Sequence, residues 1–356
     1  MTLKMVKDSY TILGVMSGTS LDGIDLAYVD FRKTDTWNFE IKFAETIPYS
    51  KTWKNRLRQA IHYGPSALSE FNIKYTEFLA SVIKEFITKN NIKNLDAVCS
   101  HGHTILHQPE KGLTLQIGNL PQIAKLIGHL VVCDFRSQDV ALGGQGAPLV
   151  PIGDKLLFGD YDYCLNLGGF ANISFEKDNN SIAYDVCPVN IVLNALSEKL
   201  GHDYDAFGKL SQQGVLNDEL LNALNRLSYY GQKPPKSLGL EWVQKEVFSL
   251  INSYGLKTED SLRTFTEHVA MQLALQFEKN KAVLITGGGA YNTFLIERLK
   301  KHTQAKIVIP DKNTIEYKEA LIFGLLGILK LRNEVNCLAS VTGAIKNHSA
   351  GKVFYP

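Results

Sequence analysis

Residues 11–31, TILGVMSGTSLDGIDLAYVDF, constrain the fold of this chain more than any other segment. Two runs rich in apolar and β-branched residues, 11–17 and 24–31, flank a loop of small and polar residues at 18–23. Such runs around such a loop predict a β-hairpin, with Asp22-Gly23 at the turn. A plain hairpin needs only two turn residues, whereas the extra small residues here let backbone N–H groups and hydroxyls face one point. A concavity of this kind is typical of a polyphosphate site.

The same pattern of strand, glycine loop and strand returns at 162–175. Two halves that each open with such a hairpin predict a duplicated α/β nucleotide-binding fold, and 356 residues suffice for two domains. A glycine- and proline-rich segment at 134–151 is typical of a connection between them. We expect a first domain of 1–135 completed by 338–356, whose apolar SVTGA segment docks back on it, and a second domain of 136–337.

Composition excludes several classes of protein. A formal net charge of +2 is too small to indicate binding to nucleic acid or to an anionic membrane. The five cysteines are odd in number, widely spaced and form no CxxC pair, so neither a zinc knuckle nor a disulfide framework is indicated. Buried reduced thiols fit a reducing compartment. No run approaches the ~20 apolar residues of a membrane span. We therefore expect a cytoplasmic protein without nucleic-acid or membrane partners.

Four glycine-rich turns follow predicted strands: SGTSLDG, GGQGAP, NLGGFAN and TGGGAYN. Open α/β sheets bind ligands at the carboxyl ends of their strands, where tight turns let the backbone approach phosphates. Four such turns in one chain favour a nucleotide site. The motif GxxxxGK[ST] is absent. Gly144-Gln145-Gly146 matches the start of GxGxxG, but the last glycine of that motif is missing. The kinase triplets HRD and DFG are absent too. Walker-type, dinucleotide-binding and protein-kinase sites are therefore not indicated.

Asp185 closes a predicted strand, 181–186, just before Pro188, a favoured first residue of a helix. A carboxylate at a strand end can serve as a general base, and the alternative is an N-cap of the next helix. Asp22 and Asp25, on the hairpin loop and its second strand, are candidates to hold Mg²⁺ through water. Asp22 fits a turn-forming role equally well.

The segment SHGHTILH supplies a competing hypothesis, because HxH after a strand occurs in some metallohydrolase sites. The other histidines lack carboxylates in ligand-like spacing and HExxH is absent, so among His101, His103 and His107 we favour substrate hydrogen bonding by His101. Arg136 follows a strand end. Arg136 is suited to bind a substrate carboxylate through two parallel hydrogen bonds. The alternative role of this residue is a surface ion pair.

Taken together, these segments resemble the anhydro-N-acetylmuramic acid kinases of peptidoglycan recycling over nearly the whole chain, in order and spacing. The matching segments are GVMSGTSLDGIDLA (14–27), SHGHTILHQP (100–109), TLQIGN (114–119), DFRSQDVALGGQGAPLVP (134–151), LNLGGFANIS (165–174), YDVCPVN (184–190), PPKSLG (234–239), TGGGAYN (286–292), KEALIFGLLG (318–327) and SVTGA (340–344).

The resemblance implies an α/β, two-domain actin-like ATPase (ribonuclease H-like) fold with a central cleft. It implies ATP and Mg²⁺ as cofactors, a small-molecule sugar substrate and a homodimer. The implied reaction opens the 1,6-anhydro ring by attack of water at C1 while O6 takes the γ-phosphoryl group of ATP. The products are N-acetylmuramic acid 6-phosphate and ADP.

The resemblance also implies roles for single residues. Asp185 is the catalytic base that deprotonates the attacking water. The sugar is held by His101, Thr104, Arg136 and Glu319. The nucleotide contacts fall on Gly18, Thr19, Ser20, Leu21, Asp22, Gly23, Ile24, Asp25, Gly168, Gly169, Asn172, Gly287, Gly288, Gly289 and Asn292.

One segment departs from the family pattern. The common DTGPGN reads Asp185-Val186-Cys187-Pro188-Val189-Asn190 here, so a threonine and two glycines are replaced. The carboxylate is kept, whereas close backbone approach to the sugar or γ-phosphate is altered. A kinase of a related anhydro-sugar is therefore the main alternative. A chaperone-like ATPase is disfavoured because no extra β-rich domain follows the ATPase core.

Overall fold

The computed structural model describes residues 7–18, 20–178 and 180–356. The chain forms two compact units, each of mixed α/β structure: unit 1 comprises the residues up to Leu157 with Tyr317–Pro356, and unit 2 comprises Phe158–Glu316. No helix in the described ranges is long and apolar enough to cross a membrane.

A seven-stranded sheet, counted over the described residues, forms the centre of unit 1. The strand order is β3-β2-β1-β4-β6-β12, with β5 paired to β4; β1–β2 and β2–β3 are antiparallel, and β4 runs parallel to β1 and β6. The strands are β1 (Ser9–Ser17), β2 (Gly23–Lys33), β3 (Trp37–Pro48), β4 (Ala97–Gln108), β5 (Leu113–Ile117), β6 (Val131–Cys133) and β12 (Lys352–Phe354). The C-terminal strand thus completes the sheet of the first unit.

Helices cover the unit 1 sheet. In α2, Phe71, Tyr75, Leu79 and Ile83 recur every four residues and are buried, as an amphipathic helix on a sheet requires. Gly14 of β1 faces another helix so closely that a Cβ there would lie 2.0 Å from the Ala320 carbonyl oxygen. The helices are α1 (Lys51–Gln59), α2 (Pro65–Lys89), α3 (Gln122–Ile127), α4 (Ser137–Ala141), α5 (Val150–Leu157), most of α13 (Lys312–Leu331) and α14 (Ala339–Thr342).

The sheet of unit 2 repeats the topology of unit 1. Its order is β9-β8-β7-β10-β11, with β7–β8 and β8–β9 antiparallel and β10 parallel to β7 and β11. Each of these five strands runs in the same direction as its counterpart in the series β3-β2-β1-β4-β6 of unit 1. The predicted duplication is therefore confirmed. The strands are β7 (Tyr163–Leu167), β8 (Phe170–Lys177), β9 (Asn180–Pro188), β10 (Ala282–Thr286) and β11 (Lys306–Val308).

The rest of unit 2 is mainly helical. A buried core of aliphatic and aromatic side chains joins these helices to the sheet. The helices are α6 (Asn190–Glu198), α7 (Lys209–Gln213), α8 (Asp218–Asn225), α9 (Leu240–Trp242), α10 (Ser249–Ser253), α11 (Thr258–Ala274) and α12 (Thr293–His302), with a π-helical turn, Val243–Phe248, between α9 and α10.

The unit boundaries differ from the expected ones. They fall at 157/158 and 316/317 rather than at 135/136 and 337/338, so 136–157 and 317–337 belong to unit 1. The glycine-rich segment 134–151 is part of that unit: Gln145 N donates to Thr342 O at 2.8 Å. Gly153 of α5 meets Ile322 of α13 so closely that a Cβ would lie 2.6 Å from it. Local sequence cannot reveal such long-range contacts, whereas the glycines and prolines resemble those of a linker.

Candidate active site

The first predicted phosphate loop joins β1 to β2 in unit 1. Its turn lies at 18–21, where Leu21 N donates to Gly18 O at 3.3 Å and Leu21 has a φ of 62°. The predicted turn at Asp22-Gly23 is therefore wrong. Gly23 instead opens β2, and its missing side chain admits β3, because a Cβ would lie 2.5 Å from Ile47 O. Thr19, a predicted member of this loop, lies outside the described residues.

Side chains of this loop divide into two groups. Ser20 and Asp22 are exposed, whereas Leu21 and Ile24 are buried in the core of unit 1. Leu21 and Ile24 therefore have only backbone atoms to offer a nucleotide. Among the described residues of the loop, the exposed hydroxyl of Ser20 and carboxylate of Asp22 are available to a ligand or to Mg²⁺.

A chain of buried hydroxyls supports the start of the loop from beneath. His103 Nδ1 lies 2.8 Å from Ser17 Oγ, which lies 2.6 Å from the hydroxyl of Tyr49; that hydroxyl lies 2.5 Å from that of Tyr75. Burial raises the pKa of Tyr49 to about 12 and lowers the pKa of His103 to about 4, so both are neutral near pH 7. The chain therefore orients Ser17 without a buried charge. Sequence reasoning missed it, because its members come from β1, the residue after β3, α2 and β4.

Arg136 and His101 form a joined pair in unit 1. Arg136 Nε donates to His101 Nε2 at 2.8 Å and Arg136 Nη1 donates to Gly146 O at 2.6 Å. His101 Nδ1 donates to the carbonyl of Gly102 at 2.9 Å. Burial, and then the Arg136 charge, lower the pKa of His101, in keeping with this neutral tautomer. Both ring nitrogens of His101 are thus engaged, and its visible role is to position Arg136.

Glu319 lies near Arg136, and Asp25 lies near Glu319. Burial raises the pKa of Glu319 on α13, the Arg136 charge opposes that rise, and the Asp25 charge adds to it. Glu319 still keeps a solvent-accessible edge. Asp25, half-buried on β2, accepts a hydrogen bond from Thr46 Oγ1 at 2.6 Å. The structure thus brings Arg136, Glu319 and Asp25 into one electrostatic group.

Thr104 lies one strand position beyond the His103 contact with Ser17. It is half-buried on β4, and Gln116 Nε2 of the paired strand β5 lies 3.5 Å from its Oγ1, at the limit of a hydrogen bond. Its hydroxyl is thus only weakly engaged by the protein.

The histidines of SHGHTILH do not converge on one point. His101 faces Arg136 and His103 faces Ser17, while His107 Nδ1 lies 3.1 Å from Thr114 Oγ1. Each imidazole thus has its own protein partner. This arrangement does not support the metallohydrolase hypothesis.

Asp185 lies on β9 of unit 2 and is held by two neutral donors. Asn172 Nδ2 donates to Oδ1 at 3.1 Å, and Leu238 N donates to Oδ2 at 2.9 Å. The residue in the N-cap position of α6 is Val189, so the alternative of a helix cap at Asp185 is wrong. Each carboxylate oxygen has two lone pairs, and these bonds use one on each. The carboxylate is fixed in direction and keeps capacity to accept a further hydrogen.

A β-bulge places Asp185. The pairing between β8 and β9 joins Ala171 to Cys187 and then Asn172 to Asp185, so Val186 is the extra residue. Bulges of this kind re-aim side chains and are frequent beside active sites. The bulge thus explains how Asn172, predicted to contact the nucleotide, meets Asp185 instead.

The PPKSLG segment packs around Asp185. Beside the Leu238 contact, Asp185 N donates to Lys236 O at 3.3 Å, and the Tyr229 hydroxyl donates to Asp185 O at 2.5 Å. The ammonium of Lys236 lies 4.6 Å from the centre of the Tyr229 ring. Tyr229 is a residue that sequence reasoning missed, since it lies in a helix-rich stretch with no recognisable motif.

The two glycine turns of unit 2 meet at the carboxyl ends of β7 and β10. A Cβ on Gly287, whose φ is 81°, would lie 2.5 Å from Asn166 Oδ1, and one on Gly289 would lie 2.7 Å from Leu167 Cβ. Asn190 connects the turns: its Nδ2 donates to Leu167 O at 3.2 Å and its backbone N donates to Gly168 O at 3.3 Å. The two turns therefore form one surface with little side-chain bulk.

The start of α6 and the residue Asn292 are already engaged within this surface. Val189 N and Ile191 N donate to Gly169 O at 2.8 and 3.2 Å, so these N–H groups lock the helix to the loop. Asn292 Oδ1 accepts from Leu295 N at 2.9 Å as the N-cap of α12. Asn292 thus supports the glycine turn at 287–289 through a hydrogen bond within the protein.

Two ribonuclease H-like units, each with a glycine-rich loop after its first strand, define the two-domain fold of actin-like ATPases and sugar kinases. The α/β fold class implied by the resemblance is confirmed. The family model "Anhydro-N-acetylmuramic acid kinase" matches residues 10–356. The chain belongs to the anhydro-N-acetylmuramic acid kinase family.

Individual relatives agree over almost their full lengths. The anhydro-N-acetylmuramic acid kinase of Saccharophagus degradans is 34% identical over 97% of this chain and 98% of its own. That of Sulfurimonas denitrificans is 31% identical, over 96% of this chain and 98% of its own. Among solved structures, the activator of the 2-hydroxyisocaproyl-CoA dehydratase from Clostridium difficile has a TM-score of 0.46 and 15% identity over 91% of this chain and 96% of that chain, a likeness too low to carry an argument.

Proposed function

We propose that this chain is an ATP-dependent kinase that hydrolytically opens the 1,6-anhydro ring of anhydro-N-acetylmuramic acid and phosphorylates O6. The observation that carries the proposal is the family match over residues 10–356, which includes every segment discussed above. In the balanced reaction, water adds a hydroxyl to C1 and the C1–O6 bond breaks. O6 then takes the γ-phosphoryl group, and N-acetylmuramic acid 6-phosphate, ADP and a proton are released.

Asp185 is our candidate for the base that takes the proton from the attacking water. Its two donors, Asn172 Nδ2 and Leu238 N, are neutral and hold the carboxylate in one orientation. Neither donor carries a charge, so these two contacts are hydrogen bonds and not ion pairs. Positioned bases of this type contribute about 10²–10⁴-fold to rate.

Arg136 is our candidate for binding the carboxylate of the muramic acid. His101 and Gly146 accept from its Nε and Nη1, so we assign the contact with the sugar carboxylate to Nη2. Burial lowers the pKa of Arg136 to about 10, with the Glu319 charge opposing, so the guanidinium stays charged at neutral pH. Glu319 and Thr104 offer an acceptor and a hydroxyl to the polar groups of the sugar.

ATP binding is assigned to the glycine loops. Gly18 and the turns at 168–169 and 287–289 carry little side-chain bulk, which suits close backbone contact with phosphates. Asp22 and Asp25 supply the oxygen ligands that Mg²⁺ prefers, so these residues fit the ion. When bound, Mg²⁺ neutralises charge on the transferred phosphoryl group. We also propose a cytoplasmic homodimer, for which light scattering on the purified protein is the test of the dimer.

The direct test is incubation with ATP, Mg²⁺ and anhydro-N-acetylmuramic acid, followed by mass spectrometry. In ¹⁸O-labelled water we expect one heavy oxygen at C1 of the product and none in the phosphate. Heavy oxygen in free phosphate, with the sugar unchanged, would mean ATP hydrolysis only and would overturn the proposal.

The DVCPVN segment leaves a related anhydro-sugar as the second candidate substrate. 1,6-Anhydro-N-acetylglucosamine lacks the carboxylate that Arg136 is proposed to bind, and it therefore makes a matched comparison. A higher kcat/KM for that sugar than for anhydro-N-acetylmuramic acid would favour the alternative.

A further inference from the structure

A buried cluster of Asp139, Cys337 and His348 lies in unit 1 apart from the residues assigned to sugar or nucleotide. Their exposed fractions are 0%, 1% and 6%. Cys337 and His348 face each other in an isolated antiparallel bridge, with Cys337 N donating to His348 O at 3.1 Å and His348 N to Cys337 O at 3.2 Å. Residues directly opposite in such a bridge project their side chains to the same side. Asp139 of α4 lies on that side.

The imidazole of His348 is oriented like a metal ligand. Nδ1 lies 3.1 Å from the Lys346 carbonyl oxygen, which can only accept, so Nδ1 carries the hydrogen. The lone pair then lies on Nε2, which faces Asp139 Oδ1 at 3.5 Å. Within the described residues, Nε2 is buried and has no hydrogen-bond partner. A ring N–H bonded to a backbone carbonyl is the usual way in which a protein orients a ligating histidine.

The carboxylate of Asp139 holds the other side of the cluster. Oδ1 accepts from Cys337 Sγ at 3.0 Å and from Thr342 Oγ1 at 2.7 Å, and Oδ2 accepts from Gly146 N at 2.7 Å. A lone pair of His348 thus faces an oxygen that is also an acceptor. A proton or a metal ion between the two atoms satisfies both, and only a metal ion also engages the sulfur of Cys337 as a third ligand.

We propose that Asp139, Cys337 and His348 form a binding site for Zn²⁺. The ligand atoms of the three residues all lie within 4.8 Å of one another. Zinc ligands at 2.0–2.3 Å in a tetrahedron are about 3.3–3.7 Å apart. The 3.5 Å from His348 Nε2 to Asp139 Oδ1 lies in that range, and the 3.0 Å from Cys337 Sγ has to lengthen on binding. Sulfur, nitrogen and oxygen donors together suit zinc better than Mg²⁺. Water takes the fourth position.

Charge balance favours the same ion. On binding, the S–H bond of Cys337 breaks, its proton leaves to solvent and a Zn–S bond forms, with no change of oxidation state. The two positive charges of the ion then meet one thiolate, one carboxylate and a neutral imidazole, so the buried cluster becomes neutral. A buried carboxylate and a divalent ion are each costly alone and compensate one another.

This site is structural and separate from phosphoryl transfer. Its connection to the rest of unit 1 runs through the Gly146 peptide, whose N–H reaches Asp139 and whose carbonyl accepts from Arg136. Zinc on Oδ1 leaves that contact on Oδ2 in place. Bound zinc is therefore expected to fix the glycine-rich segment against the C-terminal residues.

The test uses the full-length protein, stripped with a chelator and titrated with Co²⁺ and then Zn²⁺. We expect one Co²⁺ per chain, a near-ultraviolet thiolate-to-cobalt band, visible bands of tetrahedral intensity, and loss of all of them on adding Zn²⁺. Loss of a partner beyond the ligands usually costs 10–100-fold in affinity, so removing a ligand should cost at least about 100-fold.

Three variants separate the possible outcomes. Cys337→Ser keeps a hydrogen-bond donor to Asp139 and should lose the thiolate band. His348→Asn keeps a donor at the position of Nδ1 and should weaken Co²⁺ binding. Cys164→Ser, which alters a buried cysteine of β7 in unit 2, should change nothing. Absent bands, sub-stoichiometric binding, or equal bands in folded Cys337→Ser protein would each overturn the proposal. If Cys337→Ser does not fold, the His348→Asn titration decides.

Discussion

Replacing Asp185 by asparagine separates catalysis from architecture. Leu238 N can only donate, so the amide oxygen of the new side chain has to face it, and the new NH₂ then faces Asn172. Asn172 satisfies that group by turning its own amide over, which moves no heavy-atom position. The free energy of unfolding then falls only by the difference between charged and neutral hydrogen bonds. That difference is about 1 kcal/mol for each bond and about 2 kcal/mol in all.

The expected loss of activity is larger than the loss of stability. A general base contributes about 10²–10⁴-fold, which corresponds to about 2.7–5.4 kcal/mol in the barrier. Because an amide cannot accept the proton of water, the loss in Asp185→Asn should fall on kcat, with KM for ATP and sugar nearly unchanged. The assay is steady-state kinetics of ADP release with both substrates varied, alongside urea unfolding.

Asp205 provides the matched control. Its carboxylate also accepts from two backbone donors in unit 2, Leu210 N at 2.7 Å and Ser211 N at 2.9 Å, and from Ser211 Oγ at 2.6 Å. Neither backbone donor can turn over, so Asp205→Asn leaves one N–H facing an NH₂ and should cost more stability than Asp185→Asn while keeping kcat. If Asp185→Asn retains kcat within a few-fold of the wild type, Asp185 only anchors the PPKSLG segment and our mechanism is wrong.

Four further outcomes are expected. Arg136→Lys should raise KM for anhydro-N-acetylmuramic acid at least about tenfold, since a lost charge-assisted hydrogen bond costs about 1.5–3 kcal/mol. It should leave kcat/KM for 1,6-anhydro-N-acetylglucosamine, which has no carboxylate, nearly unchanged. Equal losses on both sugars would contradict carboxylate binding by Arg136. Tyr49→Phe should destabilise unit 1 by about 1–3 kcal/mol in urea unfolding, because Ser17 loses a buried partner; a neutral effect would refute the role of the hydroxyl chain. The pKa of His103, about 4 in the fold, lies below the unfolded value of about 6.5, so the unfolded chain takes up the proton first. The contribution of His103 to the free energy of unfolding of unit 1, about 3 kcal/mol, should then be lost as the pH drops from about 6.5 to about 4. His103→Asn should reduce the total fall by that amount. Zinc at about 100 times its Kd should add about 2.7 kcal/mol of stability, removed by chelator and absent in Cys337→Ser, as a calorimetric Tm would record.

The fold was predictable where the information is local. Runs rich in apolar and β-branched residues around small-residue loops indicated both hairpins, because these residue types favour strands and are visible within a few positions. The same pattern at two places indicated the duplication. The turn at 18–21 was not predictable in this way: Asp22-Gly23 is a strong turn pair, yet Gly23 serves the close approach of β3 instead.

The candidate site was predictable only as a set of residue types. Local motifs indicated Asp185, Arg136 and the glycine turns as candidates, and the family resemblance then assigned each of them a role. The partners that orient them could not be read from spacing. Asn172 reaches Asp185 through a bulge, and His101 binds Arg136 from 35 positions away. Likewise, the cysteine spacing argued against zinc, because the three residues of the buried cluster come from segments about two hundred positions apart.

The contact between Gly14 and Ala320 limits how this enzyme can change its substrate. With the Ala320 carbonyl oxygen 2.0 Å from where a Cβ would stand, no larger residue fits at position 14 unless α13 lifts from the sheet. Glu319 is the next residue on that helix and would lift with it. Small shifts of α13 are therefore not a route by which evolution or engineering could adapt the sugar site to a bulkier or smaller sugar. The accessible routes are side-chain replacements at Thr104 and Arg136, which reshape the pocket while the backbone beneath it stays fixed.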